Sequence, residues 1–352
     1  MKKILLFIII IFIYFSCSSA SKRLTYEQND LKNQAADNTK LANQFVGKYE
    51  YDKAIEYLKD SLKLNIMADN IGGVITNYAD IGKVYLFTKD TEKALDFYNT
   101  ALKLANEENI NGIFNREKAY VLNGIGEAYF FNDKYKEAEE FFNKALQLEI
   151  DEESKALINV NIAKIYTQRN DHSKSLEYLS QALPIFEKLY QQKRIENIRN
   201  LSSTYYFVAR KNFRLQNNDK AIEYIKKAIE IDKKIENSSG IADDYYIMAK
   251  ITQRKDKNLA LKYYNKSRDI YKLIDDMDGY ILSSNLMAEV LYLQEKFEEF
   301  YQIKKEIFLL SKQDQKLSIA KEILSILDNP NALKELTDEE ITEIKEKYTN
   351  IK

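Results

Sequence analysis

The chain has 352 residues, with 53 Lys and Arg against 54 Asp and Glu, one Cys, one His, nine Gly and two Pro. So few glycines and prolines exclude an all-β protein with many tight turns and favour helices that follow one another closely. One Cys and one His exclude an intrachain disulfide and a Cys/His zinc site, and a net charge of −1 gives no electrostatic footprint for nucleic acid.

The N-terminus has the features of an export signal. A basic start precedes an apolar run over residues 4–15, and Ser16 and Cys17 follow directly. As a helix this run would span about 18 Å, which is short of the hydrocarbon core of about 30 Å, so it fits a secretory signal better than a membrane span. The small residue before the cysteine resembles the lipobox of bacterial lipoproteins, which implies that residues 1–17 are a signal peptide ending at a lipidated Cys17. An uncleaved signal anchor and ordinary cleavage with an unused thiol are the alternatives.

Residues 18–34 are polar and show no sustained apolar period, so they predict a flexible tether. A repeated pattern then covers most of the chain. One pattern recurs over residues 51–62, 91–102, 135–146, 172–183 and 218–229, for example as YDKAIEYLKDSL and NDKAIEYIKKAI. It follows a second one, seen in Tyr78-x-x-Ile81-Gly82-x-x-Tyr85. This spacing resembles the tetratricopeptide repeat (TPR) family, in which W-x₂-L-G-x₂-Y on a helix A precedes A-x₃-F-x₂-A on a helix B.

The resemblance covers residues 35–313 and implies an all-α fold, a right-handed TPR α-solenoid of about seven helix–turn–helix repeats. The small residues that let paired helices approach are, on the A helices, Ala42, Gly82, Gly126, Ala163, Ala209, Ala249 and Ala288. On the B helices they are Ala54, Ala94, Ala138, Ser175, Ala221 and Ala260, with Phe300 in a degenerate seventh repeat. The predicted N-caps of the B helices are Asp90, Asp133, Asp171, Asn217 and Asp256.

Residues 314–352 leave the repeat pattern and predict capping helices. The segment 317–327 is amphipathic, and Thr337 to Glu340 form a capping box that opens a last helix. Because a solenoid must cover the apolar face of its last repeat, this region is interpreted as the C-terminal cap.

The sequence predicts no catalytic centre, no cofactor and no metal site. His172 lies in a predicted turn and has no second histidine to work with, and a lipidated Cys17 leaves no free thiol, so nucleophilic triads have nothing to build on. Carboxylate pairs such as Glu139-Glu140 fit the solvated face of an amphipathic helix. The chain is therefore predicted not to be an enzyme, and a metal-independent enzyme is the last of the alternatives.

In TPR proteins the A-helix faces line a concave groove that binds partner peptides or helices, so the resemblance places a binding surface there. Lys164, Arg210 and Lys250 directly follow the small residue in consecutive repeats and predict a cationic stripe suited to an acidic segment or a carboxylate. The complete set of predicted partner-binding residues is Asn43, Lys83, Asn123, Lys164, Tyr206, Arg210, Tyr246 and Lys250. The alternative is an ordinary solvated helix face.

We therefore expect a lipid-anchored envelope protein that holds a protein or peptide partner, as a scaffold or assembly factor, without a nucleic-acid or metal partner. By analogy with lipoproteins, the serine that follows Cys17 favours the outer membrane, on its periplasmic or exposed side. The alternative is a regulatory peptide receptor resembling the quorum-sensing TPR proteins. Those are cytoplasmic and often begin with a DNA-binding domain, where this chain has a signal sequence.

Overall fold

The computed structural model describes residues 26–108, 110–194, 198–349 and 351. The predicted signal peptide over 1–17, its Cys17 and residues 18–25 of the predicted tether lie outside the described residues. Across the described ranges the chain consists of helices and turns with no β-strand, in agreement with the all-α prediction.

The helices alternate along the chain as the repeat pattern predicts. They are α1 (26–47), α2 (Tyr51–Met67), α3 (Ile71–Phe87), α4 (Thr91–Glu108), α5 (Asn115–Phe131), α6 (Tyr135–Leu146), α7 (Glu152–Gln168), α8 (His172–Gln191), α9 (Ile198–Arg214), α10 (Asn218–Lys234), α11 (Ser238–Thr252), α12 (Lys257–Leu273), α13 (Met277–Tyr292), α14 (Phe297–Leu310), α15 (Gln313–Ser325), α16 (Ala332–Glu335) and α17 (Asp338–Tyr348). Short 3₁₀ turns occur at Ile110–Gly112 and Ile326–Asp328. Odd-numbered helices up to α13 are the A helices and even-numbered helices up to α14 are the B helices.

The chain divides into two compact units, Met1–Asn170 (unit 1) and Asp171–Lys352 (unit 2). In unit 1, from α2 onward, each helix contacts the next, and the A helices α3, α5 and α7 also contact one another in series. In unit 2, the helices from α8 to α14 do the same, with α9 against α11. These contacts place the A helices of neighbouring repeats side by side within each unit.

The small residues predicted from the repeat pattern are packing positions. Ala54, Ala94 and Ala221 on B helices are fully buried. On the A helices a Cβ would be crowded at two of the glycines. A Cβ on Gly82 would lie 3.0 Å from the carbonyl oxygen of Ala94, and one on Gly126 would lie 2.5 Å from an aromatic ring carbon in the following B helix. Close approach therefore explains why these positions carry glycine.

The turns between helices reuse one backbone motif. At the end of α3, for example, Lys89 has a φ of 62° and Asp90 donates its backbone N–H to the carbonyl oxygen of Tyr85 at 3.0 Å. A second bond runs from Lys89 N–H to the carbonyl oxygen of Leu86 at 3.0 Å, which completes a Schellman motif. Non-glycine residues take the left-handed position in most of these turns, including Asp69, Asp133, Gln216, Glu236, Asp275 and Glu295. This use of other residues explains how so many turns are made with so few glycines.

The predicted tether is wrong for residues 26–34, which form the first part of α1. One side of this helix lies on α2. Ala35 is 1% exposed, and its carbonyl oxygen accepts a hydrogen bond from Ser61 Oγ at 2.8 Å. The buried positions are small, as at Ala35 and Ala42, and they are widely spaced among polar residues. The apolar period is therefore too weak to distinguish this helix from a tether.

The predicted N-caps are correct at three positions. Asp90, Asp171 and Asp256 each accept a hydrogen bond from the backbone N–H three residues further on, at 2.9 to 3.1 Å. Asn217 occupies the N-cap position of α10 without a side-chain cap bond. The prediction for Asp133 is wrong, because this residue takes the left-handed turn position with a φ of 57° and the next residue caps α6.

Three further helices, α15, α16 and α17, follow the last repeat. The capping box between Thr337 and Glu340 is formed, with both reciprocal hydrogen bonds. Tyr348 packs its ring edge-on against Phe308 of α14 at a centroid distance of 5.1 Å, and Ile323 of α15 is fully buried in the same core. These helices pack on the apolar surface of the last repeat.

Candidate binding surface on the A helices

In unit 1 the A-helix face carries a network of polar side chains that form hydrogen bonds with one another. Asn161 on α7 donates from Nδ2 to Asn123 Oδ1 at 2.9 Å and to Glu127 Oε1 at 2.8 Å. Lys164 Nζ donates to Asn161 Oδ1 at 2.9 Å. Asn123 is only 5% exposed, and its own amide donates to Glu127 at 3.3 Å. The structure thus uses the amide of the predicted peptide-binding Asn123 to join neighbouring repeats.

The cations of unit 1 lie among carboxyl groups. Burial lowers the pKa of Lys164, the carboxylate of Glu127 opposes that shift, and the charge of Lys83 adds to it. Asp80 accepts a hydrogen bond from the Tyr120 hydroxyl at 2.7 Å. Burial raises the pKa of Asp80, and both this bond and Lys83 oppose the rise. The A-helix face of unit 1 therefore mixes both signs of charge.

In unit 2 the corresponding face concentrates positive charge. We define the cationic cluster as Arg210, Lys211 and Arg214 of α9 with Lys250 of α11. Burial is the first cause that lowers the pKa of Lys250, followed by the charges of Arg214 and Arg210, while Glu289 opposes the shift. Among the described residues, none of the four forms an ion pair within 4.0 Å. The four cations of the cluster therefore lie near one another without a salt-bridged carboxylate from the described part of the chain.

Lys211 is the unusual member of the cationic cluster. It is 2% exposed, and burial followed by the charges of Arg210 and Arg214 lowers its pKa to about 8. The equivalent position, two residues after the A-helix small residue, is apolar in five other repeats, as Val84, Ala128, Ile165, Ile251 and Val290. A buried ammonium group without an anionic partner is destabilising.

Two tyrosines lie beside the cationic cluster. The guanidinium carbon of Arg210 is 5.3 Å from the ring centroid of Tyr206. Lys250 Nζ is 5.2 Å from the ring centroid of Tyr246 and donates to its hydroxyl at 3.4 Å. Both rings are half-buried. Together the rings and the cations offer apolar contact and charge to the same ligand.

The histidine predicted to lie in a loop is instead the first residue of α8, and it is half-buried. Burial lowers the pKa of His172, and the charges of Lys211, Arg214 and Arg210 lower it further. Positive charge from α9 therefore reaches the start of α8.

The structure brings the predicted partner-binding residues together in two groups. Unit 1 holds Lys83, Asn123 and Lys164, and Asn43 lies exposed on α1 of the same unit. Unit 2 holds the second group, which is Tyr206, Arg210, Tyr246 and Lys250. The predicted stripe of Lys164, Arg210 and Lys250 thus has its first member in a different unit from the other two.

The sequence prediction missed Lys211 and Arg214. The signal for Lys211 was present, because it is a charged residue at a repeat position that is otherwise mostly apolar. Arg214 lies one turn after Arg210, so it shares a helix face with a residue that was predicted.

Two further properties bear on function. Within the described ranges, no three His, Cys, Asp or Glu side chains are grouped so that they could hold a metal ion. No helix in this part of the chain combines the length and apolar character that crossing a bilayer requires.

Family models of the tetratricopeptide repeat match three parts of the sequence. One covers residues 117–188, and a second covers residues 75–108 and 202–235. These segments coincide with the helix pairs described above. No curated protein matches the chain in sequence.

Solved structures share the fold. The apo form of RapI has a TM-score of 0.56 and 16% identity, covering 83% of this chain and 99% of that one. The apo form of the quorum sensor NprR from B. thuringiensis has a TM-score of 0.60 and 16% identity, covering 85% of this chain and 84% of that one. Aspartyl phosphate phosphatase F from Bacillus subtilis has a TM-score of 0.56 and 14% identity, covering 79% and 70%. At these identities the likeness establishes the fold alone.

Proposed function

Because the chain belongs to the tetratricopeptide-repeat family, we propose that it binds a protein or peptide partner through the A-helix face of unit 2. The cationic cluster is the observation that supports this proposal. The charges of Arg210 and Arg214 lower the pKa of both Lys211 and Lys250, and no carboxylate of the described residues forms a salt bridge with any of the four. The segment that they hold is acidic, and Tyr206 and Tyr246 contact its apolar parts. The protein acts as a scaffold or an assembly factor.

Selection of a random peptide library on the full-length chain tests this surface. Wild type is expected to enrich peptides rich in Asp and Glu, because their carboxylates neutralise the cationic cluster. The triple variant R210Q/R214Q/K250Q should lose that enrichment. The matched control K220Q/K226Q/K262Q removes the same charge from exposed B-helix positions and should keep it. Enrichment of acidic peptides by both triple variants alike would refute the proposed surface.

We further propose that the protein is anchored in the bacterial cell envelope by a lipid on Cys17. The basic start, the short apolar run and the small residue before the cysteine support this, as does Ser18 for the outer membrane. The partner is then met on the periplasmic or exposed side. Metabolic labelling with a palmitate analogue is expected to mark the wild-type chain and not Cys17→Ala. An unlabelled wild-type chain recovered outside the membrane fraction would contradict the anchor.

A peptide receptor of the quorum-sensing type is the second candidate. The observation in its favour is the shared fold with the quorum sensor NprR. The labelling experiment separates the two candidates, since a cytoplasmic receptor would not acquire a lipid at Cys17.

A further inference from the structure

A chain of buried amides links α2 to α3 in unit 1. Asn70 donates from Nδ2 to Asn65 Oδ1 at 2.6 Å, and Asn65 donates from Nδ2 to Asn77 Oδ1 at 2.7 Å. Asn65 and Asn77 are 5% and 2% exposed. Gly73 leaves space for these hydrogen-bonded amides, because a Cβ there would lie 2.5 Å from Asn65 Oδ1. Each amide therefore has a donor on one side and an acceptor on the other.

The same positions in unit 2 carry carboxyl groups. Asp232 follows Ala221 by 11 residues, as Asn65 follows Ala54, and Asp244 precedes Ala249 by five residues, as Asn77 precedes Gly82. Asp232 and Asp244 therefore occupy the same repeat positions as Asn65 and Asn77. The substitution replaces two amides, which both donate and accept, with two carboxyl groups, which only accept when ionised.

The placement of Asp232 follows that of Asn65 closely. Asn237 donates from Nδ2 to Asp232 Oδ1 at 3.0 Å, as Asn70 does to Asn65. A Cβ on Gly240 would lie 2.2 Å from Asp232 Oδ2, which repeats the close approach at the first turn of the A helix. The hydrogen-bonded chain then stops, because Asp244 Oδ2 is buried and has no hydrogen-bond partner.

A single proton would supply the missing donor. Asp232 and Asp244 are 4% and 1% exposed, and two ionised carboxylates in such surroundings repel each other without water to screen them. A protonated carboxyl group donates one O–H bond and restores the pattern of the amide chain. We propose that Asp232 and Asp244 share one proton, which makes the packing of α11 on α10 dependent on pH.

The surrounding charges favour this proton. Burial raises the pKa of Asp244 to about 9, and the charges of Asp232 from α10 and Asp243 on the same helix add to the rise. On the α12 side, the Tyr271 hydroxyl donates to Asp243. On the α9 side, Tyr206 is the titratable group whose pKa Asp244 shifts, in the upward direction. No cation contributes to the shift of Asp244 among the causes that act on it.

The sign of the pH dependence follows from the raised pKa. An unfolded aspartate releases its proton near pH 4, whereas folded Asp244 keeps a proton up to about pH 9. Between these values the folded state holds one proton more than the unfolded state. The equilibrium constant for folding therefore falls by up to about tenfold for each unit of rising pH.

Urea unfolding of the full-length chain, followed by circular dichroism from pH 5 to pH 8, tests the shared proton. Asp244→Asn and Asp232→Asn each place an amide donor beside the remaining carboxylate, as in unit 1. Relative to either variant, wild type is expected to lose urea midpoint steadily as the pH rises. The exposed Asp269→Asn on α12 is the control and should follow wild type.

Two results would overturn the proposal. If both asparagine variants run parallel to wild type across the pH range, neither carboxyl group holds an extra proton. If Asp244→Asn removes the slope and Asp232→Asn keeps it, the proton belongs to a buried Asp244 alone and is not shared.

Discussion

Replacing Lys211 with methionine is expected to raise the free energy of unfolding at pH 7 by about 2 to 3 kcal/mol. The ammonium group is 2% exposed, and its pKa of about 8 shows how strongly burial and the neighbouring arginines disfavour its charge. A pKa that lies about two and a half units below that of free lysine corresponds to about 3 kcal/mol of destabilisation of the folded state. Methionine keeps the volume and suits a position that is apolar in other repeats.

Urea unfolding followed by circular dichroism measures this gain, and Lys220→Met on the exposed side of α10 is the control, with a change within about 0.5 kcal/mol. The contribution of Lys211 to wild-type stability should also rise from pH 8 to pH 10, because the unfolded state holds the Lys211 proton longer than the folded state. Lys211→Met should lack that rise and should bind acidic peptides less tightly. If Lys211→Met is less stable than wild type, contacts of Lys211 within the folded protein outweigh the free-energy cost of burying its ammonium group.

Replacing Glu322 with alanine is expected to lower the free energy of unfolding by about 3 kcal/mol. Lys304 of α14 is 2% exposed and places Nζ 2.5 Å from Glu322 Oε2 of α15. It also donates to Asn285 Oδ1 at 2.9 Å. Without Glu322 the buried ammonium keeps one neutral partner, and the contact between the last repeat and the C-terminal cap weakens.

The reciprocal variant should behave differently. Lys304→Met leaves Glu322 with 47% of its side chain exposed to water, so the loss should stay below about 1 kcal/mol. A matched surface control is Glu299→Ala, which breaks the exposed pair with Lys296 and should also cost less than about 1 kcal/mol. Thermal or urea unfolding measures all three. Equal losses for Glu322→Ala and Glu299→Ala would contradict a buried role for this ion pair.

The helix pairs were predictable because paired helices that approach closely require small residues at fixed positions in the sequence. Small residues such as Gly82 and Ala94 recur at fixed positions, and aspartates such as Asp171 cap the helices that follow. The failure at Asp133 has a local cause. The turn inserts a left-handed residue before the cap, and aspartate tolerates both positions, so the sequence leaves the register of the turn ambiguous by one residue.

The candidate site was predictable only in part, because the repeat pattern gives the position of a residue on its helix and not the hydrogen-bond or ion-pair partners of its side chain. Asn123 was correctly placed on an A helix, but the repeat pattern does not show that it is buried and accepts a hydrogen bond from Asn161 in the next repeat. Arg210 and Lys250 were predicted, whereas Lys211 occupies a repeat position that the pattern assigns to the core. Only the structure shows that the ammonium group of Lys211 is buried among the described residues without a salt-bridged carboxylate.

The most direct test of the binding surface is calorimetric titration of one enriched acidic peptide into wild type and the two triple variants. R210Q/R214Q/K250Q is expected to lose affinity by about tenfold or more, since three charges that face the ligand are removed. K220Q/K226Q/K262Q should bind like wild type, and the wild-type affinity should fall as salt is added. Equal affinities for wild type and R210Q/R214Q/K250Q would contradict the assignment of the partner site to unit 2.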